Sequence, residues 1–325
     1  MRGFIECWLE NGFDTGAMVT GTRRAIKATN IKFSYAPNTF DLVEAGTARP
    51  YATAFFDDVY KIEFDALYRK GAFDYLFRTC FNYEFDDPYH TYDAFADYGV
   101  DGLYKFSMES VVVDIGVEIS TYNSRAYRFS GAFVKSVSFK AEVNDFVRLS
   151  FVLYATSKSD IAYDEPDSYI NTAPAVGTTL EIEANTSWTV LTELKPIRNV
   201  KKLDCVFETG FLTKNAWIDT AKISEKDYDT ESSVTCSLEV IDDDTTVAGT
   251  HTLIEQLDGW IPATRIYTNP TRVNAFKLSF RDADKNPLGY LTVNASLQSW
   301  NCNLSSGTFI TSATLGGVYS LNYKE

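Results

Sequence analysis

The stretch that decides the fold is Tyr127–Tyr154, "YRFSGAFVKSVSFKAEVNDFVRLSFVLY". Phe133, Val137, Phe139, Ala141 and Val143 fall on one parity, while Ser136, Ser138, Lys140 and Glu142 fall on the other. After Asn144-Asp145, a residue pair suited to turns, Val147, Leu149, Phe151, Leu153 and Ala155 again take one face. A period of two marks strands with one buried side, so this is a β-hairpin. It carries no residue arrangement suited to catalysis.

The same texture fills most of the chain. Its 325 residues are 45% hydrophobic and 15% aromatic, with 23 Phe and 20 Tyr, enough for a substantial core. Val, Thr, Tyr and Phe suit half-buried pleated surfaces, and the chain is read as mainly β. Helical spacing is confined to two places. In "GAFDYLFRTCFN" (71–82), Phe73, Leu76, Phe77, Cys80 and Phe81 make an apolar stripe over about three turns. In "THTLIEQLDGW" (250–260), Leu253, Ile254 and Leu257 form a weaker stripe, with Thr250 or Thr252 as cap and Gly259 as stop.

Those two helices occupy matching slots in a longer pattern. Strand "IKFSY" (31–35), a polar connection and strand "VYKIEFDAL" (59–67) precede the first helix. Strand "LDCVF" (203–207), a polar connection and strand "VTCSLEV" (234–240) precede the second. "VVVDIGVE" (111–118) is followed in kind by "VNAFKLSF" (273–280), and "AYRFSGA" (126–132) by "GYLTVNA" (289–295). The decisive hairpin is then echoed by "SLQSWNCNLSSGTFITSATLGGVY" (296–319). Duplication accounts for this order, with chance recurrence of strand patterns as the alternative. The expected division is a first domain at 1–160 carrying an acidic insertion at 83–105, a linker at 161–189, and a second domain at 190–325.

Charge and motifs narrow the function classes. The net charge is −14. Such a chain is a poor gripper of nucleic acid, because binding draws on Lys and Arg to displace phosphate counterions. Acidity more commonly serves solubility than repulsion of nucleic acid. The group Arg23, Arg24 and Lys27 reads as a solvated strand entry. Only two histidines are present, His90 and His251, and neither stands near a nucleophile motif. Phosphate loops and dinucleotide fingerprints are absent. The acidic run Asp86, Asp87, His90, Asp93, Asp97 and Asp101 lacks calcium-loop spacing and reads as an exposed loop. No catalytic, cofactor-binding or metal-binding residue is therefore assigned, and the chain is expected not to be an enzyme.

Five scattered cysteines, Cys7, Cys80, Cys205, Cys236 and Cys302, read as reduced, partly buried thiols. Glu6 and Glu10 interrupt what would be a signal-peptide core, and no apolar run approaches a membrane helix. Folding in a cytoplasm, away from membranes, is the expectation.

With these residues in view, a resemblance emerges. "SRAYRFSGAFVKSVSFKAEVNDFVRLSFVLYATS" (124–157) resembles the segment of tailed-bacteriophage tail tube (major tail) proteins where a strand meets a Gly-Ala step and returns. "NVKKLDCVFETGFLTKNAWID" (199–219) with "DTESSVTCSLEV" (229–240) resembles that family's later strand, loop and strand, and "AFDYLFRTCF" (72–81) sits where the family places its helix. The resemblance covers pattern and order from about residue 20 onward, and the insertion at 83–105 and the linker depart from it.

The resemblance implies two tandem tail-tube-like β-sandwich or half-barrel domains, each with one flanking α-helix. It implies a structural virion protein, assembled in a host cytoplasm. Its partners would be copies of itself, joined edge to edge into a ring, and other tail proteins. A trimer would supply six pseudo-equivalent positions. Stacked rings would form a tail tube through whose lumen genome DNA passes without specific binding. The long connections at 37–58 and 209–231 would be the family's contact loops, which makes Asn38, Phe40, Phe55, Phe56, Phe211, Trp217 and Tyr228 the candidate subunit contacts. A β-sandwich module that binds carbohydrate or a receptor through its Tyr and Trp residues is the alternative, and an acidic-site hydrolase is a third reading.

Overall fold

The computed structural model describes residues 2–11, 16, 23–42, 52–80, 82–83, 91–93, 110–120, 123–185, 194–197, 200–209, 211–215, 223–228, 233–242, 260–261, 266–267, 274–305 and 308–324. The second expected helix, at 250–260, lies outside these residues except for Trp260. Strands β1 (Arg2–Leu9), β2 (Arg24–Leu42) and β3 (Ala52–Leu67) lead to helix α1 (Asp74–Arg78). Two short strands follow, β4 (Asn82–Tyr83) and β5 (Thr91–Asp93), then β6 (Val111–Ser120), β7 (Asn123–Glu142), β8 (Arg148–Ala155) and β9 (Ser157–Ile161). The remainder comprises β10 (Glu181–Asn185), β11 (Leu194–Ile197), β12 (Val200–Glu208), β13 (Phe211–Asn215), β14 (Ile223–Tyr228) and β15 (Ser233–Asp242). It ends with β16 (Trp260–Ile261), β17 (Ile266–Tyr267), β18 (Asn274–Arg281), β19 (Pro287–Ser305) and β20 (Thr308–Lys324).

The expected hairpin is β7–β8, and the architecture is mainly β. Strand β7 is long enough to serve two sets of neighbours. Its first half pairs with β6 and β9, and its second half pairs with β8 and β12. The change of neighbours falls at Gly131, whose φ of 60° is in the left-handed region that glycine tolerates best. Beside it, Ser130 O accepts hydrogen bonds from Thr156 N (3.1 Å) and Thr156 Oγ1 (3.0 Å).

Because β7 turns in this way, six strands close on themselves in the order β1, β2, β3, β8, β7, β6 and back to β1. Of the two expected forms, sandwich or half-barrel, these six strands take the barrel one and close it completely. Its interior is filled by side chains, as the width of so few strands requires. Ile5, Ile62, Val113, Ile115, Phe129, Val137, Leu149 and Leu153 are fully buried. Helix α1 packs on this core, where Phe73 stacks on Phe151 at a centroid distance of 5.3 Å and Phe77 lies tilted against it at 6.1 Å.

Helix α1 covers five residues, fewer than the periodicity predicts. Phe73, Leu76, Phe77 and Cys80 are all buried, so the stripe is real. The helix stops because Thr79 is claimed elsewhere: its Oγ1 donates to Leu76 O (2.8 Å) and accepts from Val134 N of β7 (2.9 Å).

A second strand set follows the order β18-β19-β20-β15-β12. The barrel contains the same order as β6-β7-β8-β3-β2. Register also recurs. Ile62 of β3 lies between Phe33 and Leu153, and Cys236 of β15 lies between Cys205 and Leu315. An irregularity interrupts β7–β8 between Val134 and Ser136, and another interrupts β19–β20 between Leu297 and Ser299. Strand β1 bridges β6 and β2, whereas β10 bridges β18 and β11.

The two sets are physically continuous. Strands β7 and β12 pair from Ser136–Glu208 to Glu142–Lys202. Phe139 stacks on Phe280 at 5.8 Å, Tyr68 packs on Phe280 at 4.8 Å, and the Tyr68 hydroxyl donates to Leu288 O. Within the segment expected as a linker, the described residues 161–185 are bonded to both strand sets. Ile170 N donates to Ala25 O (2.9 Å), Ala175 N to Tyr68 O (3.0 Å) and Val176 N to Arg281 O (3.0 Å), and at its end β10 joins β18.

The cysteine expectation is corrected at one pair. Cys205 and Cys236 are opposed on β12 and β15 and form a disulfide. Cys7 and Cys80 are buried thiols outside any disulfide, as expected, and Cys302 lies at a position whose side chain is not described.

Candidate assembly edges

Sheet edges, rather than a cleft, are the prominent exposed features of this molecule. An edge presents a row of backbone N–H and C=O groups that can pair with another chain. On its far side, β2 pairs with β3 from Lys32–Glu63 out to Leu42–Ala52. On its near side, β1 covers β2 only between Arg24 and Ala28. Among the described strands, none pairs with the near side of β2 beyond Ala28. Pro37 stands in this stretch, and proline is confined to strand positions whose missing N–H leaves no ladder bond broken.

Two exposed aromatics mark the same stretch. Phe33 is 36% exposed and Tyr35 is 49% exposed, among the most exposed large apolar side chains described. Phe33 leans on Tyr127 and Phe129 at 4.8 and 5.6 Å, and Tyr35 leans on Tyr60 at 5.3 Å.

Strand β12 is the instructive counterpart, because there the equivalent edge is covered. Cys205 and Phe207 hold the register positions of Phe33 and Tyr35, and each is 1% exposed. Strand β7 does the covering, setting Phe139 opposite Cys205 and Val137 opposite Phe207. The joint continues past the strand: Thr209 N donates to Lys135 O (2.9 Å), Thr209 Oγ1 donates to Val134 O (3.0 Å), and Lys135 Nζ donates to Thr209 O (3.0 Å). Cross-strand pairs Lys202–Glu142 (3.2 Å) and Lys140–Asp204 (3.8 Å) decorate its wet face, where ion pairs contribute little.

The sequence-predicted contact residues divide between two hairpins. Asn38, Phe40, Phe55 and Phe56 lie on the outer part of the β2–β3 arm, where Asn38 opposes Asp57, and Phe40 opposes Ala54. Phe211 and Tyr228 oppose one another at the end of the separate β13–β14 hairpin. Trp217 lies outside the described residues. The two predicted connections thus contain paired arms, which belong to two different sheets. Sequence reasoning passed over Phe33 and Tyr35, which look like core positions in an alternating strand.

The barrel wall carries two polar clusters. Glu10 is buried, and its carboxylate accepts from Ser110 Oγ (2.5 Å), Gly131 N (2.9 Å) and Gly16 N (2.9 Å), tying the ends of β1, β6 and the β7 bend together. On the outer face, Asp114 receives both Nε and Nη2 of Arg128 at 2.8 Å, and this bond raises the already high guanidinium pKa. Arg128 and Arg23 lie over the Trp8 ring at 4.9 and 4.6 Å, and Arg23 pairs with Glu6 at 3.1 Å. The charged groups of both clusters are paired and hold strands in place, while the buried Trp8 Nε1 has no hydrogen-bond partner.

No group of metal-binding side chains occurs among the described residues, and Asp93 is the one member of the acidic run that falls in a described strand. No described helix is long and apolar enough to cross a membrane. No protein-family model and no curated protein sequence matches the chain.

Proposed function

We propose that this protein is a structural subunit that assembles with copies of itself, and specifically a tail tube protein of a tailed bacteriophage built from two tandem tube-like domains. The observation that carries the reading is the recurrence of one strand order and register, β6-β7-β8-β3-β2 and β18-β19-β20-β15-β12, on the two sides of a shared joint. A duplicated unit that already pairs edge to edge within the chain is suited to continue the same contact between chains. The long β2–β3 arm and the β13–β14 hairpin support it, since paired loops of this length serve a partner more readily than a lone domain. The charge of −14 suits a channel wall past which DNA must slide without adhering.

In this reading the protein is non-enzymatic. Copies form a ring, three chains giving six pseudo-equivalent units, and rings stack into a tube joined to other tail proteins. Negative-stain microscopy of the concentrated protein tests it. Rings or tubes with a central hole and near-sixfold end views are expected. A persistent monomer that binds glycans would overturn the tube in favour of a carbohydrate-binding module.

A further inference from the structure

We propose that the bare edge of β2 is the docking site for the second half of β19 from another copy, in the register of the internal β7–β12 joint. The register is fixed by residues already placed. Within the chain, Phe151 of β8 opposes Val137 of β7 and Phe64 of β3; in the second set, Ala313 of β20 opposes Trp300 of β19 and Leu238 of β15. Val137 and Trp300 therefore hold equivalent positions, as do Phe139 and Cys302. Equivalence on the other side aligns Cys205 with Phe33 and Phe207 with Tyr35. Transferring the internal joint outward sets Cys302 of one copy opposite Phe33 of the next, and Trp300 opposite Tyr35.

Three observations favour a second copy over any other occupant. The donor edge exists: past Val293, β19 pairs with β20, and among the described strands none covers its other side. Phe33 and Tyr35 are exposed where their covered counterparts are buried, so an incoming strand would complete a face that is half built. Pro37 also falls where the joint should thin out. It takes the place of Thr209, whose N–H bonds Lys135 O in the internal joint, so the contact between copies ends one bond sooner.

The contact is head-to-tail, with β19 of one copy meeting β2 of the next. Each copy keeps one unused edge of each kind, and growth proceeds to a closed ring or an open filament rather than to a two-fold dimer.

This inference rests on the reading that the chain self-assembles, and its test separates the two. Phe33→Cys places a thiol opposite native Cys302, and directly opposed residues in an antiparallel pair lie about 4.5–5.5 Å apart at Cα, within disulfide range. Mild oxidation of the assembled full-length variant should give a ladder of dimers, trimers and higher species on a non-reducing gel. The ladder should vanish with reductant and in a Phe33→Cys, Cys302→Ser background. Assemblies without the ladder would overturn this joint and leave the tube reading standing; a ladder without rings would support the joint and overturn the tube. A crosslink that survives loss of Cys302 would overturn the register in favour of a contact between the introduced thiols of two copies, and a protein that stays monomeric would overturn both. A second variant needs no chemistry. Tyr35→Lys should raise the concentration needed for assembly about tenfold, as loss of an interface anchor does, with thermal unfolding of the monomer unchanged. Assembly at the wild-type concentration would count against the joint.

Discussion

Strands β2 and β12 stand in the same register to their inner neighbours, yet among the described strands β12 is covered by β7 and none covers β2 beyond Ala28. Phe207 is 1% exposed while Tyr35, at the matching position, is 49% exposed. The difference is one of neighbours, since both residues are large aromatics on an alternating strand. Burial here is decided by what the sheet continues into, and an edge of identical design can be core in one place and surface in another.

Mutating the matched pair should break this comparison most sharply. Phe207→Ala removes a buried ring from the internal joint and should cost about 3–5 kcal/mol in urea unfolding. Tyr35→Ala should cost the monomer under about 1 kcal/mol, and equal losses would mean that the two edges are not equivalent.

Covalent linkage is a second asymmetry. Cys205 and Cys236 tie β12 to β15, whereas Phe33 and Ile62 at the matching pair are held by packing alone. The loop closed by residues 31 apart implies roughly 3.7 kcal/mol of stabilisation. Reductant should therefore speed amide exchange in β12 and β15 and leave β2 and β3 unchanged. Exchange that rises equally in both would refute a local effect.

The buried Glu10 carboxylate belongs to the barrel alone. Glu10→Ala strands the N–H groups of Gly131 and Gly16 and the Ser110 hydroxyl, and should cost about 2 kcal/mol or more by thermal unfolding. A loss below about 0.5 kcal/mol would show that the bend at Gly131 stands without it.

The smallest effect concerns Cys7, a buried thiol of β1. Burial pushes the Cys7 thiol up from 9.0 to about 12. Above pH 9 the unfolded chain loses this proton first, so stability falls as pH rises from about 9 toward 12, by about 1 kcal/mol at pH 10. Burial also raises the phenols of Tyr163 and Tyr169, with the same sign. Cys7→Ala should flatten the alkaline slope by the Cys7 share; an unchanged slope would assign the loss to the tyrosines.

Much of the fold is written in residue alternation. Of the apolar parity of the two hairpin strands, Phe133, Val137, Phe139, Ala141, Val147, Leu149, Phe151, Leu153 and Ala155 are buried, whereas Val143, beside the turn, is exposed. Strand β1 escaped because both of its faces are covered. Ile5 and Cys7 face the core, and Phe4 and Trp8 are also buried, under Tyr163, Arg23 and Arg128, so no period of two stands out. The disulfide escaped for another reason: cross-strand opposition depends on register, which spacing along the chain does not encode. The exposed pair Phe33 and Tyr35 was legible as a strand but not as an edge, because alternation says which face is apolar and nothing about who stands beside it.

The dual pairing of β7 has a consequence for synthesis on the ribosome. Residues of β7 and β8 emerge well before those of β12, and translation proceeds at roughly 5–20 residues per second. For some seconds a nascent chain therefore carries a finished barrel with the outer flank of β7 bare. That flank matches the β2 edge of any completed copy, so crowded polysomes set the chain's own β12 against a neighbour's β2. Tethering favours β12, which is always close at hand. If the chain assembles as proposed above, strand order along it would protect a subunit from capture by a neighbouring copy during synthesis.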